Sequence, residues 1–257
     1  MLKILGEYIN YKLKAKGRHG IHSPFVYEFV DECLTQKIPA DVSEAFKRYS
    51  HIFLKDNSRI RITDYGAGSR KLGDLRKVSD IARISGTRQK TGYLLYRIAR
   101  HYKPKKILEL GTSLGIGTFM LKAGSPDSAL TTVDGCGETS SVAKKYFSKT
   151  NFTNVSFENT TFSDYLRTNQ NEIFDLVFID GDHRGDKLFE LLEGLDKITH
   201  PHTIFILDDI RWSSDMLSAW KKLKKDKRYH LTMDLFKIGV IMKNPTKEKE
   251  HFVLRYF

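Results

Sequence analysis

The sequence carries only two cysteines in 257 residues, Cys33 and Cys136, 103 positions apart. Neither a disulfide framework nor a Cys-x-x-Cys metal knuckle can be built from them, and such usage suits a reducing cytoplasm. No apolar run approaches the roughly 18 residues a membrane span requires. The opening MLKILGEYINYKLKAKG has no sustained apolar stretch ahead of a small-residue cleavage site. A soluble, cytoplasmic protein with no membrane partner is expected. Proline is scarce at 6 residues, and the chain holds no internal repeat, Gly/Ser linker or low-complexity tract, which excludes fibrous and disordered classes. What is present is ordinary for a globular protein: 40% hydrophobic and 29% charged residues, with 18 glycines. The length suits one large α/β domain or a smaller domain with an added module.

The net charge of +12 is unevenly placed. Residues 1–106 carry 23 basic and 10 acidic side chains, whereas residues 107–257 carry 20 and 21. Such asymmetry marks either a surface that faces phosphates or a solvated helical extension built from Lys and Arg.

The first 106 residues read as helices and loops. Ser23 before Pro24 has the form of an N-cap, and Phe25, Val26, Phe29, Val30, Cys33 and Leu34 then recur at helical spacing. Leu94, Leu95, Ile98 and Ala99 give the stretch from Thr87 to Tyr102 an apolar stripe, which Pro104 ends. From Lys106 onward, short apolar runs alternate with amphipathic stretches: KILEL, ALTTVD, NVSFE, FDLVFID and TIFILDD, each followed by a helical pattern. Five such units predict a parallel sheet with helices on both faces, a Rossmann-like α/β fold. The last two runs, HLTMDLF and GVIMK, have only Lys237 and Ile238 between them, a spacing suited to an antiparallel hairpin.

The first strand of this series ends in Glu109-Leu110-Gly111-Thr112-Ser113-Leu114-Gly115-Ile116-Gly117 and runs into a helix. Glycines there permit a tight turn and close approach of a ligand to the backbone. The next strand ends at Asp134, 17 residues after Gly117, where a carboxylate can accept both hydroxyls of a ribose. Together they predict a nucleoside pocket. A dinucleotide is disfavoured, because its loop is G-x-G-x-x-G and this one is G-x-x-x-G-x-G.

ILELGTSLGIGT, TTVDGC, FDLVFIDGDH and ILDDIRW, in that order, resemble the class I S-adenosylmethionine-dependent methyltransferases, and within them the catechol and caffeoyl-CoA O-methyltransferase-like branch. The resemblance spans roughly residues 87–243 and implies a seven-stranded sheet ending in an antiparallel hairpin. It divides the chain into a basic helical extension, 1–86, on the substrate side or as a cap, and a cofactor-binding methyltransferase domain, 87–257. The implied cofactor set is Glu109, Gly111, Thr112, Ser113, Gly115, Gly117, Asp134, Gly135, Cys136 and Asp180. Gly111 to Gly117 would wrap the methionine portion, Asp134 would hold the ribose, and Gly135 and Cys136 would lie near the adenine. After the third strand the sequence reads Asn159-Thr160-Thr161, where such families often carry a small-acidic step, and the adenine contact there is left unassigned.

Asp180 closes the fourth strand, and Asp208 with Asp209 closes the fifth. Adjacent strands deliver these carboxylates to one edge of the cleft, where their repulsion calls for a cation; hard oxygen donors suit Mg²⁺, Mn²⁺ or Ca²⁺. The metal-dependent branch of the resembled family has Asp, Asp and Asn at the positions of Asp180, Asp208 and Asp209. The other reading makes them helix caps or cofactor contacts. His183 stands where that branch carries a catalytic lysine, and an imidazole can take a proton from a hydroxyl near neutrality. Trp212 is either an apolar wall for a planar substrate or a residue buried under the following helix. His19 and His22 have ligand-like spacing in a turn of structural character. ITDYGAGSRK, with Asp64, Gly66 and Gly68, imitates a glycine loop without a strand-turn-helix context; the other reading is a turn at the active-site mouth, where Arg70 and Lys71 would supply positive charge.

Methyl transfer to an oxygen of a small or medium acceptor is the leading expectation, with a homodimer compatible with it. RNA as the acceptor, held by the basic extension, is the alternative, although no RNP, KH or zinc-knuckle pattern occurs. A cofactor-binding module without catalysis is the third.

Overall fold

The computed structural model describes residues 2–63, 75–84, 86–243 and 248–257. The glycine-bearing stretch from Asp64 to Lys71 lies outside them. The chain begins with α1 (Leu2–Lys14), α2 (Pro24–Phe29), which continues into a π turn over Val30–Thr35, and α3 (Ala40–Lys55). A short antiparallel pair, β1 (Arg59–Arg61) and β2 (Leu75–Lys77), precedes α4 (Val78–Ile84) and α5 (Gln89–Tyr102). The expected alternation follows: β3 (Lys106–Leu110), α6 (Ile116–Gly124), β4 (Ala129–Val133), α7 (Gly137–Phe147), β5 (Val155–Glu158) and α8 (Phe162–Thr168). It continues with β6 (Phe174–Ile179), α9 (Gly185–Leu195), β7 (Thr199–Leu207) and α10 (Ser214–Leu223). The chain closes with β8 (Leu231–Asp234), β9 (Gly239–Met242) and β10 (Glu250–Val253).

The main sheet has the order β10-β8-β9-β7-β6-β3-β4-β5, and β9 alone runs against the others. The expected Rossmann-like architecture and terminal hairpin are both there. The strand count of seven is corrected to eight: β10 lies parallel beside β8, pairing Glu250 to Val253 with Leu231 to Asp234. It covers an edge that would otherwise expose a row of unpaired backbone groups. Its tie to the N-terminal segment is equally regular, since the Lys16 N–H donates to the Val253 carbonyl and the Arg255 N–H to that of Lys16.

Alternation along β3 sends Leu108 and Leu110 into a core with α8, α9 and α10, and Ile107 into a second core with α3, α5 and α6. Glu109 shares the face of Ile107. The second core includes Val26, Phe29, Phe46, Tyr49 and Phe53, so apolar packing is continuous from the first 86 residues into the sheet. α5 ends with Lys103 in the left-handed region just before Pro104, which satisfies the last turn where proline forbids another. Two local expectations change. Ser23 makes no side-chain cap to α2, and its hydroxyl instead meets Glu250 Oε2 at 3.1 Å; the β1–β2 pair appears where only helices and loops were expected. Among the described residues no helix is long and apolar enough to cross a membrane.

Candidate active site

The carboxyl ends of β3, β4, β6 and β7 meet the turn between β8 and β9. Gly111 has φ +111°, and a Cβ there would lie 2.2 Å from the Asp180 carbonyl oxygen. The loop after β3 is therefore seated directly on the end of β6. A Cβ at Gly117 would fall 2.5 Å from Glu109 Oε1. These two glycines are required by the packing of the loop on its own protein. Gly115 is the residue before α6, and Ser113 also has positive φ.

Two backbone donors fix Asp134 at the lip of this loop: the Ser113 N–H reaches Oδ2 at 2.7 Å and the Cys136 N–H reaches Oδ1 at 2.8 Å. Glu109 lies underneath, 1% exposed, accepting from the hydroxyls of Thr118 and, at 2.7 Å, Thr132. Thr112 and Thr132 share a further hydroxyl contact of 2.6 Å. Burial pushes the Glu109 carboxyl up to about 7, against the lowering effect of the two hydroxyls, and the charge of Asp134 adds to the rise. Glu109 and Thr112, both expected at the cofactor, thus brace the loop from below. The buried Tyr49 hydroxyl, reaching in from α3, comes within 3.7 Å of the place a Gly115 Cβ would take and has no hydrogen-bond partner among the described residues.

On the far side of Asp134, the Cys136 thiol is covered by backbone of the β1 segment, 3.7 Å from the Arg61 carbonyl and 3.5 Å from the Thr63 nitrogen. Asn159, left without a role by the sequence, donates to the Asp134 carbonyl at 2.9 Å and to that of Gly135 at 3.3 Å. A cavity of about 420 Å³, lined by Arg61, Gly137, Glu138, Phe157 and Asn159 among others, opens alongside. Thr63 belongs to the ITDYGAGSRK stretch, for which a turn at the active-site mouth is one of the two expectations, whereas Arg61 just before it carries no motif.

Asp180, Asp208 and Asp209 do converge, and Lys237 stands with them. Its Nζ lies 3.3 Å from Asp208 Oδ2 and 3.4 Å from Asp209 Oδ1. Asp208 Oδ1 accepts the backbone N–H of Asp209 at 2.8 Å, with Asp209 itself at φ +52°. Desolvation, then the charges of Asp208 and Asp209, hold the Asp180 carboxyl well above the usual carboxylate range. Asp208 is raised by desolvation and by Asp209. Desolvation works against the charge of Lys237, but the three carboxylates outweigh it and raise the ammonium above its ordinary value. His183 Nε2 sits 4.0 Å from Asp209 Oδ2, and its ring centroid is 5.7 Å from that of Trp212. Trp212 is 58% exposed at the mouth, so burial beneath α10 is ruled out. A cavity of about 280 Å³ between α8 and α9 reaches Gly181, His183 and Asp208.

The donor set fits a divalent cation poorly. A metal would need oxygens at about 2.0–2.6 Å, whereas here an ammonium already bridges two of the three carboxylates. Among the described residues no group of three or more His, Cys, Asp or Glu side chains is arranged to hold a metal ion. In the sequence Lys237 stands only as one of two residues between the hairpin strands, with no motif around it.

Residues 108–210 match the family model described as a methyltransferase domain. Among solved structures, an O-methyltransferase from Bacillus cereus in complex with SAH is 19% identical, with 85% of this chain and 97% of that one covered and a TM-score of 0.53. The O-methyltransferase TomG from Streptomyces achromogenes, involved in tomaymycin synthesis and bound to SAM, is 16% identical over 85% of this chain and 95% of its own, TM-score 0.56. An SAH-bound methyltransferase from Podospora anserina is 17% identical over 82% and 100%, TM-score 0.55. No curated protein matches the sequence. The chain has the fold of the class I S-adenosylmethionine-dependent methyltransferases. The matched segment runs from the glycine loop through Asp209 and stops before Lys237.

Proposed function

We propose that the protein transfers a methyl group from S-adenosylmethionine to an oxygen of a small or medium acceptor. The observation that carries this reading is the glycine loop seated on the end of β6, with Asp134 fixed at its lip and His183 set beside Asp209. The loop from Gly111 to Gly117 would hold the methionine portion and Asp134 the ribose. The buried, unpartnered Tyr49 hydroxyl beneath the loop suits a polar ligand group there. When bound, the cofactor supplies a methyl carbon that takes the acceptor oxygen's lone pair while the S–C electrons remain on sulfur, leaving the neutral thioether. His183 would accept the acceptor's hydroxyl proton, with Asp209 steadying the imidazolium. Trp212 would give a planar acceptor an apolar wall at the mouth. The rest of the rate enhancement would come from alignment.

Calorimetry with SAH, followed by incubation of the protein with labelled S-adenosylmethionine and separate metabolite and RNA extracts, tests this. SAH binding with label transferred to a metabolite is expected. No heat with SAH, or heat with NADH in its place, refutes the cofactor; label in RNA alone refutes the acceptor class.

A further inference from the structure

The carboxylates of Asp180, Asp208 and Asp209 are drawn from two adjacent strand ends into a partly desolvated corner, an arrangement that is stable only with a countercharge. From the sequence alone, one reading of the three carboxylates supplies that countercharge as a bound divalent cation. Here the chain supplies one itself.

We infer that the Lys237 ammonium is the resident cation of this site, standing among Asp180, Asp208 and Asp209 in place of a metal ion. The inference deepens, and rests on, the methyl-transfer reading. Two lines of geometry carry it. The first is contact: Nζ is 3.3 Å from Asp208 and 3.4 Å from Asp209, and Asp209 is also the carboxylate nearest His183. One ammonium therefore links the strand end to the group that faces the imidazole.

The second is that the lysine is built into position by its backbone. The Lys237 carbonyl accepts the N–H of Ile210, the residue after Asp209, at 3.0 Å. The Lys237 N–H donates to the Leu235 carbonyl at 3.0 Å across Phe236, whose φ is +72°. A bulky residue in that region is costly and persists only where its surroundings enforce it. The enforcing contacts are visible. Arg211 donates to both oxygens of buried Asp234, at 2.8 and 2.7 Å, and to the Phe236 carbonyl at 2.6 Å. Buried Trp220 donates to Asp234 as well, and the Phe236 ring packs against Tyr8 and Tyr11 of α1, with centroids 5.0 and 5.2 Å apart. A lysine that merely folded over an anionic patch would need none of this.

An ammonium in this position neutralises part of the cluster and offers N–H donors to an acceptor oxygen as it gains negative charge. It repels a dication, and it cannot supply the several short oxygen contacts a metal would provide.

The test is Mn²⁺ binding, read by loss of the free-ion electron paramagnetic resonance signal, with SAH calorimetry on the same samples. The wild-type protein is expected to bind no Mn²⁺ tightly. Lys237→Ala is expected to gain one site, with affinity on the order of 100-fold above wild type once the repelling charge is gone, and Asp208→Ala in that background should remove it. Lys237→Arg keeps a cation and should behave as wild type. A wild type that binds one Mn²⁺ tightly and loses it on Asp208→Ala overturns the inference, whether or not the lysine variants fold. A folded Lys237→Ala that gains no site overturns it too. Failure of the cofactor reading is distinguishable, because it appears as absent SAH heat whatever the Mn²⁺ result.

Discussion

Glu109→Gln is the substitution whose effect can be worked most directly from the structure. Glu109 is 1% exposed beneath the glycine loop, and burial raises its carboxyl from 4.5 to about 7. The folded protein therefore keeps a proton that the unfolded chain releases. Stability contributed by this group is complete below pH 4.5, falls as pH rises through the interval up to about 7, and is flat above it. Moving a titration midpoint by one pH unit is worth about 1.36 kcal/mol, so wild-type Glu109 should cost roughly 1 kcal/mol at about pH 5 and about 3 kcal/mol at about pH 8. Glutamine retains an acceptor oxygen for Thr118 and Thr132 and has no charge to bury. The variant should accordingly be the more stable protein at alkaline pH, with a gap over wild type that widens between those limits. Urea denaturation of both proteins at intervals across that range measures the gap, provided the denaturant slopes agree. A gap that is constant with pH, or a wild type more stable at about pH 8, would refute the placement of an uncompensated carboxyl under the loop.

Three further outcomes are expected. Asp134→Ala should weaken SAH binding by roughly 1–3 kcal/mol, the usual loss of a hydrogen-bonded charged acceptor, and unchanged calorimetry would remove Asp134 from the nucleoside site. Gly111→Ala should destabilise the protein by more than about 2 kcal/mol, because its φ is positive and its Cβ meets backbone; a melting temperature equal to wild type would show that the loop can lift from β6. If the basic residues of the first 106 form a nucleic-acid surface, RNA affinity should fall steeply with salt and shrink when Lys and Arg there are neutralised. Absence of binding at about 50 mM salt leaves that surface as a solvated face.

Much of the fold was legible because the sheet is parallel and covered on both sides. Runs such as FDLVFI and TIFILDD can satisfy their side chains only as fully buried strands, and the amphipathic stretches between them leave helices no other place. β10 escaped because EHFV is short, half-buried and polar at one end; its identity as a strand depends on β8 offering an edge. The Ser23 cap failed for a similar reason, since Glu250 on that strand competes for the hydroxyl. Within the site, Asp134, Asp180, Asp208 and Asp209 were legible as strand-end residues, whose direction follows from the sheet. For Glu109, strand alternation gives the direction as well, since it shares the face of Ile107 and turns beneath α6.

Lys237 shows where such reading stops. Its direction is set by Phe236, held in an unusual backbone conformation by Arg211, Asp234 and Trp220 and by the two tyrosines of α1, none of them adjacent to it in sequence except Phe236 itself. The consequence reaches beyond one side chain. α1 belongs to the basic N-terminal part, and by packing Tyr8 and Tyr11 on Phe236 it supports the turn that places Lys237 beside Asp208 and Asp209. Tyr11 also ties α1 to the β10 edge through the Leu254 carbonyl at 2.6 Å. The first helix, the end of the last strand and the turn that carries Lys237 are thus joined by direct contacts.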